Sequence, residues 1–251
     1  MDNKTILQIT MQQQAIDFNC TPEDFCLNEN KVVISKENPE ARKDLMLPFF
    51  CALTSFGGNI VASANSVIAD MVLEYINKNK IEDCFAPPNL FILNDEFRKH
   101  GMRINFSAQR FLPDVEAIKP IPCEYEIKIL RPDDYAYMYN MPEWSNAIGS
   151  GKRKHLDRLG AGAYDGPKLI GFAGSGASCD SMWQIGYDVL PEYRRKGVAS
   201  ALTSRLALEI LNIRKVPFTG CLWANIGSFK TALASGFKLT WVEMQSGPEI
   251  Q

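Results

Sequence analysis

The sequence predicts an α/β fold, a mixed sheet flanked by helices over residues 123–251, preceded by an α+β domain over residues 1–122. Three observations predict it. Strand-like and helix-like runs alternate after Cys123. A polar stretch with three prolines, 111–123 (FLPDVEAIKPIPC), separates that alternation from a less regular first half. Val198, Leu202, Leu206, Ile210 and Ile213 recur every three or four positions, so they share one side of a helix over 197–213.

In chain order, residues 6–18 read as a helix, and 31–35 and 49–55 as strands. Gly57-Gly58 divides the apolar runs 49–56 and 59–64, which is a hairpin signal. Residues 67–76 read as a helix and 106–111 as a strand. The fold of this half is not readable from pattern alone. After the boundary, 124–130 is a strand, and Arg131-Pro132-Asp133-Asp134 opens a helix. Residues 145–159 read as a second helix, with a short strand near 160–164. Strands at 168–174 and 182–190 are separated by Gly, Ser and Asp turn residues. Next come the helix over 197–213, a strand at 217–223, a helix at 226–235 and a last strand at 237–244. The order is β-α-α-β-β-β-α-β-α-β.

A formal net charge of −2, with a pI near 5.8, supplies no basic field for nucleic acid or an anionic membrane, so neither is expected as a partner. A mildly acidic surface suits a cationic amine. Seven cysteines without a CxxC pair fit a reducing compartment better than a disulfide framework. The first residues, MDNKTILQITMQQQ, carry no apolar segment after a basic start, and no stretch approaches 18 apolar residues. A soluble, cytoplasmic protein is the expectation.

The chemistry concentrates in residues 185–199, IGYDVLPEYRRKGVA. A strand ends at Pro191, and a helix begins near Gly197. Arg194, Arg195 and Lys196 crowd that helix's N-terminus, where the positive end of the macrodipole disfavours cations. A broken local rule points to a compensating function. An anion on the free N–H groups of the first turn supplies one. Gly197 lets a ligand approach the backbone, and Ala199 keeps the next turn small. The ordinary alternative is a solvated surface turn.

The wider pattern bears on that choice. Arg194-x-x-Gly197-x-Ala199 after Val189-Leu190-Pro191 resembles the pyrophosphate-binding motif Q/R-x-x-G-x-G/A of the GNAT superfamily of N-acetyltransferases. About thirty residues on, Asn225-x-x-Ser228 leads through a helix into Gly236-Phe237, which resembles the superfamily's second cofactor motif. The resemblance covers about residues 124–244. The whole chain is also similar to a bacterial GNAT subgroup with an N-terminal extension and a Pro142-Glu143-Trp144-Ser145-Asn146 signature.

The resemblance implies acetyl-CoA as co-substrate and no metal. Backbone at Val189 and Leu190 would pair with the pantetheine amides. The N–H groups of Arg195, Lys196, Gly197, Val198, Ala199 and Ser200 would hold the pyrophosphate, beside Arg194. Asn225 would hydrogen-bond the pantetheine arm, with Ser228 and Lys230 near it or the adenosine phosphates. A β-bulge in the 182–190 strand would splay it from 217–223 and open the slot.

Acetyl transfer needs a neutral amine, yet only about one lysine-like amine in a few thousand is neutral at pH 7. A base therefore matters, as does an oxyanion donor, expected near Val189 or Leu190. Here the chain departs from the superfamily. Ala232 stands where many members carry a tyrosine acid, and Trp183 and Gln184 stand where many carry a strand carboxylate. Tyr187 and Glu143 are the candidate substitutes. Tyr187's ordinary role would be strand packing, and Glu143's the offsetting of a helix dipole. Asp188 points away from the Val189 face by strand alternation. Trp144 and Trp223 would line an acceptor pocket or sit in the core.

Other chemistries are set aside. Gly149-Ser150-Gly151-Lys152 lacks the first glycine and the Ser/Thr of a P-loop. Gly171-x-x-Gly174-x-Gly176 has the wrong order for a dinucleotide fingerprint. His100 and His155 have no HExxH or cysteine partners, and no GxSxG occurs. The leading expectation is an N-acetyltransferase acting on a small-molecule or peptide amine in a ternary complex. The alternatives are a non-catalytic acyl-CoA sensor, and a partner-binding or homodimerising role for residues 1–122.

Overall fold

The computed structural model describes residues 1–151 and 153–249. By packing, the chain forms two compact units that interleave along the sequence. One takes Met1–Ile9, Phe111–Cys221 and Asn225–Leu239; the other takes Thr10–Arg110, Leu222–Ala224 and the chain from Thr240 on.

The unit built mainly from the N-terminal half contains most of α1 (Asn3–Phe18), then β1 (Lys31–Ile34), β2 (Cys51–Ser55), β3 (Val61–Ala64), α2 (Ala69–Lys78), α3 (Ile81–Cys84) and α4 (Asn89–Arg98). It also takes most of β4 (Met102–Pro113) and of β10 (Phe237–Pro248). The expected hairpin is present: β2 pairs antiparallel with β3 across Gly57, whose φ of +100° only glycine adopts freely. β1 runs parallel to β3, and β10 pairs antiparallel with β2. Leu53, Ile60, Val72, Ile76, Leu93 and Phe97 form the core, each 0–1% exposed. Helix α1 turns a polar stripe inward, because Thr10, Gln13, Gln14 and Asp17 recur at helical spacing and all are buried. Arg42 Nε donates to Asp17 Oδ2 at 2.5 Å, and Arg110 pairs with Glu243. Burial pushes Glu243 up, but Arg110 and Arg42 outweigh it and hold this carboxyl below its usual range.

The other unit carries β5 (Glu126–Leu130), β6 (Asp157–Asp165), β7 (Lys168–Gly176), β8 (Met182–Val189) and β9 (Val216–Cys221) in the order β9-β8-β7-β6-β5. All neighbours here are antiparallel except β8 and β9, which are parallel and joined by α6 (Val198–Asn212). On one sheet face Val198, Leu202, Leu206 and Ile210 of α6 pack on Ile170, Ile185 and Trp183. A Cβ on Gly171 would stand 2.9 Å from Val198, so the small residue admits the helix. On the other face lies the one-turn helix α5 (Ser145–Ile148), whose Ala147 carbonyl would meet a Cβ on Gly174 at 2.5 Å. Helix α7 (Ile226–Ala234) comes after β9.

Several sequence expectations are corrected. The helix expected over 145–159 stops at Ile148, because Gly149 and Gly151 take left-handed φ of +58° and +75°. Strand β6 therefore starts at Asp157, and Lys152 lies outside the described residues. The helix opened by Pro132 is a 3-10 segment, Pro132–Asn140. Ile213 caps α6 and is 48% exposed, so it leaves the apolar stripe. Helices α3 and α4 had no forecast. Among the described residues no helix is long and apolar enough to cross a membrane, and no His/Cys/Asp/Glu group could hold a metal ion.

Candidate active site

The pairing of β8 with β9 ends early. Met182, Trp183 and Gln184 oppose Val216, Pro217 and Phe218, and there the ladder stops. Thr219 Oγ1 donates to the Ile185 carbonyl at 3.0 Å, at the point where the strands part. Above it opens a cleft of about 910 Å³ between β8, the first turn of α6 and α7. The expected bulge is absent: β8 keeps unbroken register with β7 from Gln184 to Val189. The slot opens because β9 leaves β8, not because β8 kinks.

Strand alternation sorts the β8 edge. Leu190 N donates to the Ile170 carbonyl at 2.9 Å, so its amide faces β7 and is withdrawn from the slot. That corrects the expectation for Leu190, which does not line the cleft. Peptide groups at Tyr187 and Val189 alternate to the slot side. The Val189 carbonyl accepts from Arg194 Nε at 2.9 Å, which leaves the Val189 N–H to face a ligand.

The turn before α6 has the shape of an anion cradle. Arg195 and Gly197 both adopt left-handed backbone, φ +63° and +78°. Positive φ at a non-glycine residue is uncommon and marks a constrained turn, and such turns converge N–H groups on an anion. No side chain caps α6, and no acidic residue stands in its first turn. Its first backbone bond is Ala201 N to the Gly197 carbonyl, so the N–H groups of Val198, Ala199 and Ser200 point past the helix end. Arg194, Arg195, Gly197, Val198, Ala199 and Ser200 all line the cleft. The Lys196 side chain does not; it turns away from the cleft. Its Nζ bonds the Tyr125 hydroxyl at 3.1 Å and lies 5.2 Å from the Tyr193 ring centroid. Two aromatic faces hold the ammonium there.

Across the cleft, Asn225 caps α7, its Oδ1 accepting from Ser228 N at 3.1 Å. The cap consumes the oxygen, so Nδ2 is what Asn225 can offer a ligand. Ser228 and Lys230 line the cleft, with Ile226, Gly227, Thr231 and Ala234, which sequence reasoning had not named. Ala232 is turned into the core at 1% exposure.

Tyr187 reaches where that alanine cannot. Its hydroxyl donates to the Ser228 carbonyl at 3.2 Å, at the cleft wall. Burial raises its phenol above the ordinary value, against hydrogen bonds with Ser228 and Thr231 that lower it. Glu143, the other candidate, is exposed on the 3-10 segment Pro142–Trp144 and does not line the cleft, because the short helix α5 leaves that turn outside. Trp144 is core, 3% exposed, and Trp223 is 74% exposed. Asp188 points to the opposite face as alternation required. Its Oδ2 accepts from Asn146 N and Ala147 N, each at 2.9 Å, and its Oδ1 from Asn146 Nδ2 at 2.7 Å. The Pro142–Asn146 signature is thus anchored to β8 by Asp188, a bond that spacing alone did not reveal.

A scan of protein-family models finds no match to this sequence, and a comparison with curated proteins finds none. Solved structures do show likeness. A GCN5-related N-acetyltransferase-like protein from Streptococcus suis is 19% identical, with 65% of this chain and 69% of that one covered and a TM-score of 0.46. A GCN5-related N-acetyltransferase from Kribbella flavida is 12% identical, with 65% of each chain covered and a TM-score of 0.48. A Drosophila protein is 13% identical over 99% of this chain and 90% of that one, with a TM-score of 0.49. Likeness at these identities and scores does not assign a reaction; the residues and geometry of the slot must do so.

Proposed function

We propose that the cleft binds acetyl-CoA and that the protein transfers its acetyl group to a primary amine of a small molecule or peptide, by direct attack while both are bound. The observation that carries this reading is the uncapped first turn of α6, with left-handed Arg195 and Gly197, opening on the cleft where β8 and β9 part. A helix N-terminus flanked by Arg194 and Arg195 suits a diphosphate. The exposed edge of β8 suits an extended amide chain, which adds to a strand edge as a peptide would.

The site's own groups supply the chemistry that a thioester donor needs. The Val189 N–H donates to the carbonyl oxygen as negative charge gathers there. Tyr187, whose phenol burial raises above its ordinary value, is the acid for the departing thiolate. The Ser228 carbonyl positions its hydroxyl.

Acetyl-CoA is expected to raise the melting temperature, because a ligand that binds only the folded state stabilises it. No shift at millimolar ligand sinks the reading. Coenzyme A release over a panel of primary amines then separates a transferase from a protein that binds without turnover.

A further inference from the structure

On the face of β8 opposite Tyr187 lies a second, smaller cavity of about 50 Å³. Asn146–Gly149, Leu156, Asp157, Ser178, Gln184 and Gly186 line it, with Arg153 at its wall. It has room for roughly three or four water-sized groups. Its position comes from one row across the sheet: Asp157 pairs with Gly176, Gly176 with Gln184, and Gln184 with Phe218. Residues in register on adjacent strands share a face, so Asp157 and Gln184 project into the cavity together, with no side chain on Gly176 between them. A Cβ there would lie 3.9 Å from Asp157 Oδ1. Gln184 ends the β8/β9 ladder, so the row runs from Asp157 to the point where the two strands part. Two strand spacings, ~10 Å, separate the two.

We propose that Asp157 is the proton acceptor for the amine substrate, working through water held in this cavity and hydrogen-bonded by Gln184. The proposal rests on the transferase reading above. Gln184 carries no charge on β8, and the acid stands in the same row, two strands away. Tyr139 is its positioning residue: the Tyr139 hydroxyl donates to Asp157 Oδ2 at 2.7 Å, which leaves Oδ1 toward Gly176 and the cavity. Tyr135, wholly buried with its hydroxyl unpartnered, packs 6.2 Å from Tyr139, ring to ring. Burial raises the Asp157 carboxyl above its ordinary value, while Tyr139, Arg153, Arg158 and His155 pull it down. A carboxylate raised in this way is a better base than an exposed one.

Protons and electrons balance. The ammonium R–NH3+ gives one proton through water to the Asp157 carboxylate, leaving R–NH2. The nitrogen lone pair forms the N–C bond to the acetyl carbon, and the C–S bond breaks with its pair on sulfur. Tyr187 protonates that thiolate and regains its proton from the nitrogen. Asp157 releases its proton to solvent through the cavity mouth. The products are the amide, coenzyme A and one proton.

Methylamine and hydroxylamine make the test, since they are similar in size and differ in charge. Methylamine is an ammonium near neutral pH and needs a base; hydroxylamine is already uncharged and does not. Asp157→Asn is expected to lower methylamine-dependent coenzyme A release by ~10²-fold or more. Enzyme-dependent release with hydroxylamine, above its spontaneous attack on the thioester, should stay within about twofold, and acetyl-CoA should still raise the melting temperature, because Asp157 does not line the slot. Tyr139→Phe should show the same split, smaller, and carries the test if Asp157→Asn fails to fold. Equal loss with both probes, or no loss with methylamine, overturns the proposal. So does a parent protein that binds acetyl-CoA yet turns over neither probe. Failure of acetyl-CoA to bind the parent overturns instead the transferase reading beneath it.

Discussion

The decisive perturbation is a negative charge inside the turn proposed to hold a diphosphate. Ala199 is the second residue of α6, half-buried and on the cleft wall. Ala199→Asp should help the unliganded fold, because an acid in the first helical turn meets the positive end of the dipole, with a gain of ~0.3–1 kcal/mol. For a chain of this size that is a rise of roughly 1–4 °C. The same carboxylate opposes the ligand. A unit charge pair at about 4 Å is worth ~1 kcal/mol in bulk water and ~4 kcal/mol at a protein surface. Against the two charges of a diphosphate, the lower figure already totals ~2 kcal/mol, about thirtyfold in affinity. Acetyl-CoA at a hundred times the parent's Kd stabilises it by ~2.7 kcal/mol; thirtyfold weaker binding leaves ~0.9 kcal/mol. Scanning fluorimetry with and without ligand should therefore show a higher starting melting temperature and about a third of the ligand shift. Ala199→Asn, of the same shape without the charge, should keep most of that shift. A full acetyl-CoA shift in Ala199→Asp would mean that no anion sits on this turn, and the cofactor reading would fall with it.

Tyr187→Phe removes the hydroxyl that rests on Ser228 and should lower kcat about tenfold to a hundredfold while acetyl-CoA still shifts the melting temperature; an unchanged kcat would leave Tyr187 as packing. Glu243→Gln strips the buried countercharge from Arg110 and Arg42 and should cost ~3–5 kcal/mol in urea unfolding, because an uncompensated buried charge is left behind. A loss below ~1 kcal/mol would show the pair to be hydrated. Asp114 accepts from Asn3 Nδ2 at 2.8 Å, the largest of the causes that hold its carboxyl below the ordinary value. Its stabilising share is therefore complete above the unfolded carboxyl pKa of about 3.9 and is lost as pH falls through the lowered folded value. Asn3→Ala should return the Asp114 titration toward the ordinary value by carboxyl NMR, and an unmoved titration would place the cause elsewhere.

How much was legible in the sequence divides along physical lines. The β8-turn-α6 stretch could be read because its signals are local: an apolar stripe at helical spacing, a glycine at the helix start, and cations where the dipole disfavours them. The course of the Lys196 side chain is not legible, because two aromatic rings from distant segments, Tyr125 and Tyr193, compete for its ammonium, and no local pattern encodes that. Leu190 was misplaced by one step of strand alternation, which only its bond to Ile170 settles. The helix expected over 145–159 is cut short because Gly149 and Gly151 take left-handed backbone and act as helix stops. In the first half, the helix over 6–18 is legible and forms as α1, but its buried face mixes Ile6, Ala15 and Phe18 with Thr10, Gln13, Gln14 and Asp17, and hydrophobic periodicity does not show that inward polar stripe. Glu243 and Arg110 lie 133 positions apart, and their pairing emerges only from the fold.

The two proposed proton carriers stand on opposite faces of one strand, a consequence of alternation along β8. Tyr187 shares its face with Ile185 and Val189, toward α6 and α7, where the donor's sulfur would leave. Gln184 and Gly186 share the other face, toward α5 and Asp157, where the amine would enter. A slot open between two strands has both faces available at once, so attack and departure need not compete for the same space. Ala232 is turned into the core and Gln184 carries no charge, so neither position supplies an acid or a base here. In the proposed arrangement, an acid on β8 and a base on β6 would stand behind the sulfur and before the amine. Neither substitution therefore argues against catalysis by itself; the methylamine and hydroxylamine comparison decides it on the base side, and Tyr187→Phe on the acid side.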